Sequence, residues 1–429
     1  MASGADRTSY PPDAQAWWGV AVFSLAAIVS YTDRLILNQL VDPIRRDLRI
    51  TDLQVSYLQG PAFALLYVFA GLVLGRLADR GNRRNLVLAG VATWSLGTIA
   101  CAFSPTFWGL FAARLCVGIG EAALAPAVIS LIADSVPPAR RATAMGTFLM
   151  SCVIGTGAAI TIGGVLLSAA EGGWFASLPV LGALSSWRLV LLLAGLPGIL
   201  ILALVATIRE PARQGAAGKG SLRAGARHFL ADRARLGPLY LGMGIVSIGD
   251  FAMFAWVPTL LSRRYGLGSA EIGGMMGTIV AVTGVIGSIA TGVASDWAER
   301  RGGLPARLAL AMAGAACTLP GVLLLLPGTA PLAVTGFTIW MLGTTIIGIA
   351  GVAALQELLP NELRGVGMSL TSFFNMALGL GLGPSLVALV TEHVYGDAAA
   401  VGWAIVTVAL PAAVAGLALF TRARAAARR

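Results

Sequence analysis

Apolar stretches long enough to cross a lipid bilayer recur along the whole chain, and nothing else constrains its folding as strongly. A hydrocarbon core about 30 Å thick takes about 20 residues of helix. Inside it every backbone polar group must bond within the protein, which favours helices. Twelve such stretches are read, at roughly 17–40, 53–78, 85–103, 107–132, 143–169, 187–208, 238–261, 271–294, 306–327, 331–355, 365–391 and 400–421. The expected fold class is an all-α membrane protein with twelve transmembrane helices. Only 12% of the 429 residues are charged, half the share of about 25% in soluble proteins, which excludes a soluble enzyme and a disordered scaffold. The net charge of +10 lies in short basic runs between the apolar stretches, so no nucleic-acid partner follows from it.

Those runs set an orientation. Of the 30 Lys and Arg residues, 22 fall in loops on the side of the N-terminus, six on the other side and two inside spans. Positive charge concentrates on the cytoplasmic face, so both termini are expected in the cytoplasm of a multi-pass protein of the cell (inner) membrane. The first apolar stretch has no small-residue cleavage site, and a cleaved leader is not expected. Pro126, Pro197 and Pro258 mark breaks within spans, tolerated where neighbours satisfy the freed backbone groups. Trp17, Trp18, Trp108, Trp187 and Trp403 stand near span ends, where tryptophans anchor to the membrane surface. Cys101, Cys116, Cys152 and Cys317 lie in apolar stretches without C-x-x-C spacing, so neither a metal site nor a disulfide framework is indicated, and no cofactor is expected.

The spans divide six and six. Residues 1–208 are expected to form one helical bundle and 238–429 a second. Residues 209–237 form a basic linker that contains an amphipathic segment, SLRAGARHFLADRARL. That segment suits a helix on the inner leaflet or a solvated tie between bundles. The halves repeat. GRLADRGNRR (Gly75, Asp79, Arg80, Arg83, Arg84) and GVASDWAERR (Gly292, Asp296, Arg300, Arg301) share G-x-x-x-D-x-x-x-R-R at an offset of 217 residues, which also carries Asp33 onto Asp250. DSVPPARRATAM and ELLPNELRGVGM align Asp134 with Glu357 and Arg141 with Arg364 at an offset of 223. Parallel repeats with a site between them are a transporter architecture.

The loop at 75–84 resembles the signature of the major facilitator superfamily, with Asn82 where that signature has glycine. YTDRLILNQLVDPIRRDL in span one and RLCVGIGEAALAPA in span four are similar to the Spinster branch of that superfamily. The resemblance implies two six-helix bundles, alternating access and a monomer. It also implies proton-linked movement of amphiphilic anionic lipids, such as lysophospholipids or sphingosine-phosphate-like molecules. Span five, GTFLMSCVIGTGAAITIGG, is similar to a glycine-rich antiporter motif at Gly146, Gly155 and Gly163, but Ala159 and Ile160 stand where the motif has Gly-Pro. Close helix packing through small residues accounts for it equally, as it does for GLGLGP at 379–384.

Five ionisable side chains fall inside spans one, four and seven: Asp33, Arg34, Arg114, Glu121 and Asp250. At about 2.5–3.5 kcal/mol each, five unpaired charges would cost roughly 12–18 kcal/mol, so they must pair or face water. Helical rise puts Asp33 and Arg114 at similar depth, and an Asp33–Arg114 ion pair is expected. Glu121, two turns from Arg114, shares its face of span four. A carboxylate withdrawn from water favours its neutral form, which makes Asp33, Glu121 and Asp250 the candidates for proton coupling. Arg34 and Arg114 are the candidates for an anionic headgroup. Phe63, Tyr67, Phe251, Phe254 and Trp256 are candidates to line an apolar cavity. The alternative is a set of fixed ion pairs that only specify packing, and for Asp250 a hydrogen-bonding role. In the loops, Gly75, Asp79, Arg80, Arg83, Arg84, Asp296 and Arg300 form the candidate gating set, with Asp79 expected to latch the bundles; for Arg83 and Arg84 the favoured alternative is charge anchoring on the cytoplasmic side. The alternatives in function are export of drugs or other small organic solutes and, from another class, an intramembrane lipid-modifying enzyme. The latter lacks support, because His228 and His393 lie outside membrane depth and no nucleophile motif accompanies them.

Overall fold

Among the described residues of this computed structural model (10–179, 181–213, 222–326 and 328–428), eleven helical stretches are long and apolar enough to cross a membrane, and no strand occurs. One of them, Ser269–Leu323, runs for 55 residues. That is about 80 Å of helix, twice what one crossing needs. It breaks at Gly303, whose φ of 61° and ψ of −156° suit glycine alone. The stretch is therefore two crossings, and the twelve expected spans are all present.

The first six are Asp13–Gln39, Asp52–Arg80, Arg83–Phe103, Phe107–Ser135, Pro138–Glu171 and Ser186–Ala206. The second six are Arg233–Tyr265, 269–302, 304–323, Ala330–Leu358, Arg364–Tyr395 and Ala398–Ala427. They are called spans one to twelve below. Span four breaks at Ala123, just ahead of Pro126, and span six restarts at Pro197; Pro258 lies inside a continuous helix. Span eleven contains a π-helical turn, Asn375–Leu380, ahead of its glycine run.

The apolar cores reveal how the two six-helix bundles meet. At the end that carries the termini there are two separate cores. One is built almost wholly from spans one to six, around Phe23, Trp94, Leu131 and Phe148. The other is built from the second bundle and the end of the linker, around Leu236, Leu239, Tyr240, Leu355 and Phe420. At the opposite end a single core runs through both bundles and joins Ile36, Leu40, Leu58 and Trp187 to Trp256, Leu260, Phe337 and Ile405. The bundles thus close on each other at the far end. They part at the terminal end, where a Cβ added to Gly75, Gly146, Gly292 or Gly365 would meet nothing within 4 Å.

Small residues make the far-end closure possible. Thr161 Oγ1 of span five donates to Gly273 O of span eight at 3.2 Å. A Cβ on Gly273 would stand 2.8 Å from Ile160 O and 3.1 Å from Gly164 Cα. Span two meets span eleven through Ser56 and Ser385 (3.3 Å between hydroxyls), and Leu53 N donates to Glu392 at 2.8 Å. Gly155 and Gly163 pack instead on span one, against Ile28, Tyr31 and Ile36, so close packing explains these two glycines of span five but not Gly146. Gly379 and Gly383 likewise pack on span seven. Gly273→Leu is expected to pry the far end open. In a background lacking the four native cysteines, a cysteine at Thr161 should then react several-fold faster with a water-soluble maleimide; unchanged labelling would mean the contact does not hold the closure.

The linker helix Leu222–Ala231 stands against the second bundle: Phe229 packs on Tyr240 (6.0 Å between rings) and His228 Nε2 donates to Leu358 O at 3.2 Å. Residues 214–221 of the linker lie outside the described residues.

Candidate functional site

Arg34 sits in the first bundle inside a cage. Its Nε and Nη2 donate to one oxygen of Glu121, Oε2, at 2.9 and 2.6 Å, and Ser30 Oγ donates to the same oxygen at 2.9 Å. Ser30 and Arg34 are four residues apart and so share a face of span one. The guanidinium carbon lies 4.7 Å from the rings of Tyr31 and Phe63 and 4.9 Å from that of Tyr67, all within cation–π range. Phe63 and Tyr67, one turn apart on span two, stack at 5.2 Å. Gly118 admits span two to this position, since a Cβ there would stand 2.5 Å from Phe63 O. Arg34 and Glu121 are buried, and Glu121 Oε1 has no hydrogen-bond partner.

The expected Asp33–Arg114 ion pair is absent among the described residues. Asp33 turns toward span three, where its Oδ2 accepts from Thr98 Oγ1 at 2.6 Å and its Oδ1 stays without a partner. Arg114 donates to Arg34 O (3.1 Å) and Leu58 O (3.3 Å). Both carbonyls lie in last turns, where span one tightens into the 3₁₀ turn Ile36–Gln39 and the helix Asp52–Gln59 ends at Gly60. Such carbonyls lack intrahelical donors and attract cations. Arg114 therefore holds two helix ends together.

In the second bundle Asp250 is half-buried and accepts from Trp340 Nε1 at 3.2 Å; no ion pair reaches it among the described residues. Phe254 is half-buried and packs edge-on against Phe337. Trp256 is fully buried and donates to Pro384 O at 2.9 Å, so it packs rather than lines a cavity. Trp187 is likewise no membrane anchor: it is 0% exposed, and its Nε1 donates to Asp47 at 2.7 Å. Trp18, Trp108 and Trp403 are exposed.

The terminal-end loops carry two ionic knots. Arg83, read as a surface charge, is fully buried. It pairs with Asp134 and with Glu210 (2.8 Å), and donates to Ser130 Oγ (2.9 Å) and Pro211 O (3.0 Å). Arg84 adds bonds to Glu210 (backbone N, 2.8 Å) and Ala206 O (2.6 Å). The two arginines tie the loop after span two to the ends of spans four and six. In the second bundle Arg307 does this work, donating to Glu357 (2.8 Å), Glu299 (2.9 Å) and Ser295 (3.1 Å). Asp134 and Glu357, aligned by the repeat, thus accept from equivalent knots. Asp296 lies 3.8 Å from Arg307, and Arg300 Nε donates to Asp296 O within its own helix. Asp79 and Arg80 are exposed without ion pairs among the described residues, beside the open position at Gly75.

A third cluster, unread in the sequence, locks the far end. Arg263 of span seven donates to Asp42 (2.9 and 2.7 Å) and Asp52 (2.7 and 2.8 Å), which flank the turn between spans one and two. Arg45 also reaches Asp52 at 3.3 Å. The only signal was an arginine at a span end opposite two acids distant in sequence.

Residues 23–384 match the profile of the Major Facilitator Superfamily. An MFS-type efflux pump of Mycolicibacterium smegmatis is 25% identical over 89% of this chain and 86% of its own. Protein spinster homolog 1 of Xenopus laevis is 25% identical over 86% of this chain and 71% of its own. The crystal structure of a bacterial homolog of the human lysosomal transporter Spinster, inward-facing and unoccupied, superposes with a TM-score of 0.81 at 23% identity and covers 97% of both chains.

Proposed function

Because the chain belongs to the major facilitator superfamily, whose members are transporters and not enzymes, we propose that it couples proton movement to the transport of amphiphilic anions by alternating access. The class suggested is lysophospholipids or sphingosine-phosphate-like lipids, carried by a monomer in the cell membrane with both termini cytoplasmic. The terminal-end opening then faces the cytoplasm. One observation carries the coupling: Glu121 receives all its hydrogen bonds on Oε2 and none on Oε1. A proton arriving at Oε1 finds a free lone pair and neutralises the acid. Arg34 then loses its counter-charge and turns its planar fork to an oxyanion, for which guanidinium is suited. Tyr31, Phe63 and Tyr67 offer apolar faces to the adjoining chain of an amphiphile. Proton and anion therefore favour each other's binding.

Asp33, turned toward Thr98 with one bare oxygen of its own, is proposed as a second proton-binding acid. Asp250 is assigned the hydrogen-bonding role, since no cation would be released by its protonation. Asp250→Asn keeps an oxygen for Trp340 and is expected to leave proton-driven uptake within about twofold of the parent; a loss comparable to that of a Glu121 variant would make it a coupling site. Asp79, exposed and unengaged in the open state, is proposed as the latch that forms when the terminal end closes.

The test is uptake of labelled lysophospholipid and sphingoid phosphate into proteoliposomes with and without a pH gradient, beside a thermal-stability screen across pH. Stabilisation by drugs and by none of the lipids would favour a second reading, export of small organic solutes. The efflux-pump relative, which aligns along most of the chain, supports that alternative.

A further inference from the structure

A cavity of about 350 Å³ lies at the closed far end, between the two bundles and away from the Arg34 cage. Its size falls within the range of small-molecule sites. The first bundle contributes Gln39, Asp42, Arg46 and Glu171 to its walls, and the second contributes Ser262 and Ser269. The charges there are unevenly committed. Asp42 is held by Arg263, the far-end lock. Arg46 and Glu171 are exposed and form no ion pair among the described residues; Arg46 Nε donates only to Asp42 O, at 3.3 Å. Gln39 is 9% exposed, and its Nε2 is buried with no hydrogen-bond partner. A buried donor left unmade costs free energy that an acceptor oxygen would recover.

From this lining we infer a binding site for a small soluble zwitterion of the amino-acid type. Its carboxylate meets Arg46 and, once the side chain turns into the cavity, the Gln39 amide; its ammonium meets Glu171, and the serine hydroxyls take the remaining polar atoms. A ligand carrying a single charge leaves one of the two free side chains without a partner. Because both bundles supply walls, an occupant holds the far end shut and slows turnover. That consequence rests on the alternating-access reading, whereas the binding itself does not.

The test therefore begins with binding. The purified full-length protein is titrated calorimetrically with L-glutamine, with its deaminated analogue glutaramate and with its decarboxylated analogue 4-aminobutanamide. Saturable binding of L-glutamine is expected at millimolar concentration or below, with both single-charge analogues weaker by about tenfold or more. Arg46→Gln and Glu171→Gln, exposed and outside the Arg34 cage, should each weaken L-glutamine by a similar factor and leave lipid-induced thermal stabilisation unchanged. Absence of saturable binding, equal binding of either analogue, or full affinity in both variants would overturn the site. If binding holds and uptake is unaffected, the clamping consequence is wrong and the site stands.

Discussion

Glu121→Gln is expected to yield a folded, membrane-inserted protein whose uptake no longer responds to a pH gradient. Glutamine is nearly isosteric, and its carbonyl oxygen can still accept from Arg34 and Ser30, which now meet at Oε2. What it cannot do is gain or lose a proton where Oε1 stands without a partner. Loss of the carboxylate charge leaves Arg34 uncompensated, but Tyr31, Phe63 and Tyr67 continue to shield it, each such contact being worth up to about 2 kcal/mol when desolvated. Arg34 is then permanently free for an anion. Substrate exchange across proteoliposomes at symmetrical pH should persist, while gradient-driven accumulation falls tenfold or more, the scale of about 1.4 kcal/mol lost from coupling. Accumulation at the parent level under an imposed gradient would remove Glu121 from the mechanism.

Arg83→Ala is the second large effect, and its readout is folding rather than transport. Arg83 is 0% exposed and gives its cation to Asp134 and Glu210 at the seam of spans three, four and six. Breaking a buried pair from one side costs about 3–5 kcal/mol, because the charge that stays behind remains desolvated. Here the acid side chains keep 12% and 24% of their exposure, so the lower figure, about 3 kcal/mol, is the expectation. Arg80→Ala, removing an exposed neighbour in the same loop, should change stability by about 0.5 kcal/mol or less. Thermal unfolding of both variants in one detergent decides the matter: equal midpoints would return Arg83 to the role of a surface charge. Arg83→Lys should recover only part of the loss, since an ammonium cannot reproduce the spread of bonds to Ser130, Pro211, Asp134 and Glu210.

Twelve spans and their duplication were legible because span length and loop motif are one-dimensional quantities. Even the fused spans eight and nine were separable in the sequence, where RRGG interrupts the apolar run. Partner choice among the membrane charges was not legible. Helical rise places Asp33 and Arg114 at one level, but depth carries no information about which way each span is turned. Arg34, about 100° from Asp33 on the helix, makes the buried ion pair instead, and makes it with Glu121. The Ser30–Arg34 spacing of one turn was the clue to which face carries the cage. Trp187 shows the same limit: its place at a span end matches an interfacial anchor, whereas its burial depends on Asp47, which lies 140 positions away. Arg263 counted as one more loop charge until the turn between spans one and two came to rest beside it.

One core at the far end and two at the other describe a seesaw with unequal arms of grease. When the shared core is split, the side chains it withdraws from the aqueous cleft must be matched by others newly covered opposite. Under the proposed alternating access one covered apolar face is exchanged for another, and a free-energy change of about a few kcal/mol from a proton or an ion pair suffices to tip it. On that reading the packing of the two ends offsets, and the small polar groups near the fulcrum decide which way the molecule leans.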